Sequence, residues 1–235
     1  MPRLRTTTTL KIAYAGIAVA DTWLAGSTDR RAHRARFLTK PLLMPTLMAS
    51  LVTDPRAAGS PLRTSTLVAQ LGGWGGDLAL MGRGTTSFVV GSGSFAAGHA
   101  AYITGLLRQR SRTTRPGPKV VAGLWAVTAP AMVVGAVRQQ PVLGPTVAGY
   151  SAMLAGTVAA AAQLDPALPR SARMTTLLGA AVFMSSDAVL GARRFLLKRP
   201  PARLESVVMA TYTAAQLLLS EGAARAATTG PDASA

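Results

Sequence analysis

The chain has 235 residues, a formal net charge of +16 and no cysteine, which excludes disulfide bonds and thiolate metal sites. Charged residues make up only 14% of the chain, whereas an ordinary soluble domain has about 25%. The Lys and Arg residues stand in clusters between long uncharged runs, which is typical of a polytopic membrane protein. A nucleic-acid-binding protein would carry positive charge along its helices as well, so this class is disfavoured.

Eight apolar runs follow one another, and each is long enough to cross a bilayer, which takes about 17–25 residues. We predict spans near residues 10–26, 37–53, 64–81, 86–107, 119–138, 142–163, 173–192 and 203–222. The first run resembles a signal peptide, but the similar runs after it favour a span. The connections are short, so residues 1–235 are expected to form one transmembrane domain, with a disordered polar tail at 228–235.

The predicted fold class is therefore all-α, a polytopic membrane protein with an eight-helix transmembrane bundle. An even number of spans places both termini on one side of the membrane, and we refer to the opposite side as face X. Thirteen Lys and Arg residues fall on the side of the termini and 12 on face X. The positive-inside rule consequently favours neither orientation. We expect a multi-pass integral protein of a bacterial inner membrane or a plasma membrane.

Two carboxyl groups interrupt apolar runs: Asp77 in "GGWGGDLALM" and Asp187 in "VFMSSDAVLG". A charged residue at the centre of a membrane-spanning helix costs about 2.5–3.5 kcal/mol, so an acid kept inside a span indicates a function. With a helical rise of about 1.5 Å per residue, both acids lie roughly 5–8 Å below face X, at the same depth as Asp21 and Lys40. We therefore expect the two carboxyl groups to converge in one pocket.

The two acids also belong to a weak internal repeat. Each begins the pattern D-x-x-L, and a tyrosine follows each acid by 25 residues, at Tyr102 and at Tyr212. The offset between the two copies is 110 residues, which fits two parallel four-helix halves. His99 lies much farther from face X, at a depth where a histidine more often bonds a neighbouring helix than acts in catalysis.

Five sequence stretches occur in order along the chain: "FLTKPLLMP" (37–45), "GGDLALM" (75–81), "FVVGSGSFAAGHAAY" (88–102), "GAAVFMSSDAVLGARRF" (179–195) and "TYTAAQLL" (211–218). Together they resemble the YhhN family of membrane proteins, which includes lysoplasmalogenases. The resemblance implies eight spans and makes Asp77 and Asp187 the expected catalytic pair. Lys40, His99, Tyr102, Tyr212 and Gln216 match other recurrent family positions, and with Tyr150 and Arg194 they form the predicted substrate-binding set.

The resemblance implies hydrolysis of the vinyl-ether bond of lysoplasmalogens, which gives a fatty aldehyde and a glycerophospho-base. This reaction passes through an oxocarbenium ion, so it needs one proton donor and one group that stabilises the cation or activates water. Two carboxyl groups in different surroundings can divide these roles. The neighbouring Ser185, Ser186 and Arg194 favour an ionised Asp187 and a protonated Asp77.

The expected partners are a lysophospholipid substrate and membrane lipids, with no nucleic acid, cofactor or metal. Lys40 and Arg194 stand at span edges, where they suit the phosphate of a lipid headgroup. Two alternatives from other classes stay open: a small-solute or proton-coupled transporter and a non-catalytic lipid-binding membrane protein. Transporters also keep acids inside the membrane, although usually near the midplane.

Overall fold

The structure, a computed structural model, describes residues 2–113 and 116–227 and contains eight α-helices within these ranges. They are α1 (Pro2–Ala25), α2 (Arg30–Thr53), α3 (Arg63–Leu80), α4 (Gly84–Arg108), α5 (Gly117–Gln139), α6 (Leu143–Ala161), α7 (Arg170–Phe195) and α8 (Arg203–Ala224). No strand occurs in the described ranges, so the all-α class is confirmed. The predicted tail at 228–235 lies outside the described residues.

The first two helices begin well before the predicted spans, because their first turns hold residues that suit a helix but not hydrocarbon. In α1, the hydroxyls of Thr8 and Thr9 donate to backbone carbonyls one turn back. In α2, the side chain of Asp29 accepts a 2.9 Å hydrogen bond from the backbone N–H of Arg31 and caps the helix. An apolar pattern detects the part of a helix that avoids water, so it places such starts too late.

Seven of the helices form a closed ring in the order α1, α2, α3, α4, α6, α7, α8, and α8 returns to α1. The remaining helix, α5, lies outside the ring against α6 and α7. Glycines allow close contact between α3 and α4, since a Cβ atom added to Gly72 would lie only 2.8 Å from the Cα atom of Gly98. The ring leaves an interior that side chains from most of the helices reach.

The two predicted halves have the same internal order of helix packing, but corresponding helices differ in their contacts with the other half. In both halves each helix packs against the next one in sequence. Between the halves, however, α4 packs against α6, whereas its counterpart α8 packs mainly against α1. The helix α1 also belongs to the ring, whereas its counterpart α5 does not. The predicted repeat of two parallel halves therefore agrees with the packing inside each half, but it does not describe how the two halves pack against each other.

Within the described residues, two helices are long and apolar enough to cross a membrane by length and composition, namely α5 and α7. This is fewer than the eight predicted spans. The other helices carry polar side chains that face the interior, such as Gln70 on α3 and Gln216 on α8, both fully or almost fully buried. These side chains lower the apolar character of the helix without reaching its outer surface.

The distribution of side chains is inverted relative to a water-soluble protein. Large apolar residues stand on the outer surface, including Val127 (80% exposed), Trp23 (74%) and Leu38 (72%). Acids stand inside, and Asp21 and Asp77 are at most 2% exposed. An apolar surface of this extent indicates contact with lipid or with another protein.

Candidate active site

A cavity of about 540 Å³ occupies the interior of the ring near face X. Residues from α2, α3, α4, α6, α7 and α8 line it, and α5 forms its outer wall. Both predicted catalytic acids, Asp77 and Asp187, are among the lining residues. The volume falls within the range of about 300–1,000 Å³ that is usual for ligand pockets. The ring thus brings together two acids that are far apart in sequence.

Asp77 lies on the inner face of α3 between a phenol and a cation. The hydroxyl of Tyr212 donates a 2.7 Å hydrogen bond to Asp77 Oδ2, and Lys40 Nζ lies 3.4 Å from Asp77 Oδ1. The indole of Trp74 donates to the carbonyl oxygen of Pro41 at 2.9 Å and so fixes α2 against α3 beside Lys40. Both partners of Asp77 stabilise its ionised form.

Asp187 has a different environment. Its carboxyl group accepts a hydrogen bond from Tyr150 on α6, and it forms no ion pair with any described cation. The hydroxyl of Ser185 donates to the carbonyl oxygen of Ala181, and that of Ser186 donates to the carbonyl oxygen of Val208. The serines expected to stabilise an ionised Asp187 therefore donate to backbone carbonyls instead, and a cation of this site, Lys40, lies beside Asp77.

A group of aromatic rings separates the two acid–tyrosine pairs. The ring of Phe95 lies 5.9 Å from that of Tyr212 and 6.3 Å from that of Tyr150, measured between centroids. Phe183 completes the group at 5.5 Å from Tyr212. Gly76 makes room for Phe95, because a Cβ atom at that position would overlap the ring. These packed rings fix the directions in which the two phenols point.

The predicted substrate-binding residues fall into two groups. Lys40, Tyr150, Arg194 and Tyr212 line the cavity. His99, Tyr102 and Gln216 are not among its lining residues and lie buried behind it. A chain of contacts nevertheless connects them to the cavity, because Tyr102 donates to Gln216 at 3.1 Å and Gln216 Nε2 reaches the hydroxyl of Tyr212 at 3.5 Å.

His99 bonds to a neighbouring helix, as its depth predicts. Its Nδ1 atom lies 2.9 Å from the hydroxyl of Thr157 on α6, so it joins α4 to α6. Its ring also packs edge-on against Phe183, with 4.8 Å between the centroids. These contacts join helices, and His99 is not among the lining residues of the cavity.

Arg194 stands at the end of the cavity nearest face X. Its guanidinium lies 4.1 Å from the ring centroid of Phe88 and 5.7 Å from that of Phe195. It forms no ion pair with the described carboxylates, and stacking on an aromatic face leaves the N–H groups at its edge able to donate. Among the described cations that line the cavity, Arg194 is therefore the one without an ion pair.

Two other acids near face X are neutralised by their neighbours. Glu205, which lines the cavity mouth, pairs with Arg193 at 2.5 Å and with Arg36 at 3.3 Å. Arg36 also lies 3.3 Å from Asp21, which in addition accepts a 2.6 Å hydrogen bond from Thr39. These contacts tie α1, α2, α7 and α8 together, and they identify Asp21 as a structural acid.

The sequence analysis missed an ionic cluster at the opposite end of the bundle. Asp54, between α2 and α3, lies 3.0 Å from Lys11 and 2.6 Å from Arg56, and Glu221 pairs with the same two cations. Burial by itself would raise the pKa of Asp54, but hydrogen bonds from Arg56 and Lys11 outweigh it and lower the pKa to about 2. A lone lysine inside the first apolar run was the available signal, since it needs a partner.

Comparison with known proteins decides the family. The profile of the YhhN family matches residues 35–223, a range that contains the lining residues of the cavity and leaves α1 outside. The chain belongs to the YhhN family. No curated protein and no solved structure matches this YhhN chain. Together with the two membrane-crossing candidates α5 and α7, the family indicates a membrane protein.

Within the described ranges of this YhhN protein, no three His, Asp or Glu side chains lie close enough together to hold a metal ion. The ionisable side chains that line its cavity are three carboxyl groups, two phenols and three cations, and two of them, Glu205 and Arg193, form an ion pair with each other. Such a set can donate protons, accept protons and stabilise charge on a substrate.

Proposed function

We propose that this YhhN protein is a multi-pass membrane hydrolase that cleaves the vinyl-ether bond of a lysoplasmalogen to a fatty aldehyde and a glycerophospho-base. One observation carries the proposal. Two acids, each bonded to its own tyrosine, line one cavity that has cations at one end and apolar walls along its length. A single-chain phospholipid has the matching arrangement, with a charged headgroup, a reactive bond below it and a hydrocarbon chain.

The proposal includes eight membrane-spanning helices. The shortest helix, α3, has 18 residues, which corresponds to about 27 Å and approaches the hydrocarbon thickness of about 30 Å. The outer surface presents large apolar side chains, whereas the buried acids and amides face the interior. This inverted distribution supports spans even where the whole-helix composition is only moderately apolar, because lipid contacts the outer face alone.

The proposed first step is protonation on carbon. Asp187, which no described cation contacts, holds the proton and transfers it to the vinyl-ether carbon farther from the oxygen. The electrons of the carbon–carbon double bond form the new C–H bond, and the ether oxygen shares the resulting positive charge. The Asp77 carboxylate, held by Lys40 and Tyr212, stabilises this oxocarbenium ion.

Water then completes the hydrolysis. Its oxygen bonds to the oxocarbenium carbon, and its proton passes to Asp77, which gives a hemiacetal. The hemiacetal hydroxyl returns a proton to Asp187 while the bond to the glycerol oxygen breaks, and that oxygen takes the proton from Asp77. The aldehyde and the free hydroxyl of the glycerophospho-base leave, and both carboxyl groups regain their starting states.

The cavity mouth suits the lipid phosphate. Arg194 is held flat by Phe88 and Phe195 and presents its N–H groups without a competing carboxylate among the described residues. A guanidinium binds phosphate through two parallel hydrogen bonds, which also fixes the orientation of the headgroup. Lys40 lies deeper, beside Asp77, where it can reach the glycerol end of the molecule.

The experiment is to incubate the purified protein with an alkenyl lysolipid and measure released aldehyde. We expect release by the natural protein and loss of at least about 100-fold in Asp77→Asn and in Asp187→Asn. Asp21→Asn is the matched control, since it removes a buried acid of the same bundle end that does not line the cavity. A folded natural protein that releases no aldehyde from any alkenyl lysolipid contradicts the proposal.

A proton-coupled transporter is the second candidate, and a chain of buried polar groups favours it. Asp77, Tyr212, Gln216 and Tyr102 are connected by hydrogen bonds that lead away from the cavity into the bundle. Farther along α3, neither polar atom of the buried Gln70 amide has a hydrogen-bond partner within the described residues. Proton movement into liposomes that hold the protein, without any aldehyde release, would favour this candidate.

A further inference from the structure

The cavity has a second opening, on the side of the bundle. Four of its lining residues are exposed although they lie well inside their helices: Leu124 and Thr128 on α5, and Ser185 and Ala188 on α7. Leu124 is 55% exposed. Exposure of this extent at four neighbouring lining residues indicates a gap in the cavity wall, and we call this gap the side window.

The side window lies at the depth of hydrocarbon rather than at the membrane surface. Ala188 precedes the end of α7 at Phe195 by about 10 Å along the helix axis, and Leu124 precedes the end of α5 at Gln139 by about 22 Å. Its rim carries no charged group, and Met184 adds a further apolar side chain to the lining beside it. Such a rim suits an alkyl chain and does not suit a headgroup.

The packing of α5 explains why the gap occurs there. Near face X, α5 is fastened to α7, because Gln139 donates a 2.8 Å hydrogen bond to the carbonyl oxygen of Arg194 and Gly135 lies against Phe195. Farther down, α5 is fastened to α6 instead, through a 3.0 Å hydrogen bond from Trp125 to Ser151. The helix therefore diverges from α7 along the stretch where the side window opens.

We propose that the side window admits the single hydrocarbon chain of a lysolipid from the bilayer and holds that chain while the headgroup phosphate stays at Arg194. This deepens the proposed function and rests on it. Asp187 directly precedes Ala188 at the rim, so the bond to be cleaved lies between the cavity mouth and the side window. A lipid with two chains would have to pass both through one gap, which restricts the substrate class to single-chain lipids.

The first experiment uses a saturated alkyl-ether lysolipid with a diazirine at the end of its chain. This probe has no carbon–carbon double bond, so it reports binding without hydrolysis. After illumination of the full-length protein in liposomes, we expect adducts on Leu124, Thr128 and residues 184–188, and an alkenyl lysolipid should suppress them. Adducts confined to the open groove between α1 and α8, lined by Trp23 and Arg203 among others, would overturn the proposal.

The second experiment uses the absence of cysteine, which allows single sites to be labelled. In Ala188→Cys, a bulky apolar maleimide should lower binding of the same probe at least tenfold relative to the unlabelled variant. Val127→Cys is the matched control, because Val127 lies on the outer face of α5 and does not line the cavity. Its labelling should leave binding unchanged, and equal effects at both sites would contradict the proposal.

The outcomes separate this inference from the proposed function. Adducts at the side window together with no aldehyde from alkenyl lysolipid support the lipid path and contradict the hydrolase. Aldehyde release together with adducts elsewhere supports the hydrolase and contradicts the lipid path. A two-chain probe that labels the window as strongly as the single-chain probe would refute the restriction to one chain.

Discussion

The two ends of the bundle both contain buried charge, but they use it differently. At the end opposite face X, Asp54 and Glu221 share Lys11 and Arg56, and neither acid lines the cavity that contains Asp77 and Asp187. At face X, Asp187 has a phenol as its partner and no described cation, and it faces a cavity. Buried acids that are fully paired hold helices together, whereas an acid that lacks a cation and borders open space is available for chemistry.

The largest expected effect is on the rate of aldehyde release, when the acid at the cavity end of the bundle is neutralised. Asp187→Asn removes the proposed proton donor, so aldehyde release should fall by at least about 100-fold, while the unfolding temperature should change little because no ion pair is lost. The measurement pairs a rate assay with thermal unfolding in detergent. An Asp187→Asn protein that retains full activity would remove this residue from the mechanism.

A substitution at the opposite end of the bundle should lower stability and leave activity unchanged. Asp54→Asn leaves Lys11 and Arg56 without one of their two carboxylates and should cost about 1–3 kcal/mol of unfolding free energy. The activity per folded molecule should be unchanged. Chemical denaturation followed by tryptophan fluorescence measures the first quantity. A large loss of activity without loss of stability would show that the two ends are functionally coupled.

The next comparison is between Arg194, which has no ion pair with the described carboxylates, and Arg56, which is paired with two carboxylates. Arg194→Lys keeps the charge but loses the two parallel hydrogen bonds, so KM should rise about tenfold with little change in kcat. Arg56→Lys makes a similar replacement at the opposite end and should leave KM unaltered. Steady-state kinetics on both variants provides the test. Equal KM values for the natural protein and Arg194→Lys would place the phosphate elsewhere.

A smaller effect is expected on the unfolding temperature as the pH is lowered. The pKa of Asp54 is lowered to about 2, compared with an unfolded value of about 3.9. Its contribution to stability is therefore complete above about pH 4 and is lost as the pH falls towards 2. The unfolding temperature should decline over this interval by about 2–4 °C more in the natural protein than in Asp54→Asn. Parallel curves for the two proteins would contradict the role of this cluster.

Sequence alone identified the helices and the two acids, because both depend on local pattern. A run of apolar residues predicts a helix, and Asp77 and Asp187 stand out against apolar neighbours. The charge assignment between them relied on residues close in sequence and stays a prediction. Ser185 and Ser186 bond to backbone carbonyls, as serines inside helices often do, while Lys40, the cation beside Asp77, comes from another helix.

The sequence also did not predict which helices form the closed ring. The sequence analysis treated α1 and α5 alike, as spans of similar length, and did not predict that α5 lies outside while α1 takes part in the ring. The position of α5 follows from which faces of neighbouring helices are left uncovered. Only about 11% of the apolar stretch of α5 is buried, and this single feature creates both the outer wall of the cavity and its side window.

The most direct test of the central claim is hydrolysis of an alkenyl lysolipid in heavy water, with immediate reduction of the aldehyde and mass spectrometry of the resulting alcohol. Protonation on carbon by Asp187 predicts one deuterium on the carbon next to the former carbonyl, and Asp187→Asn should yield almost no product. Release of aldehyde without deuterium at that carbon, or undiminished release by Asp187→Asn, would contradict the account.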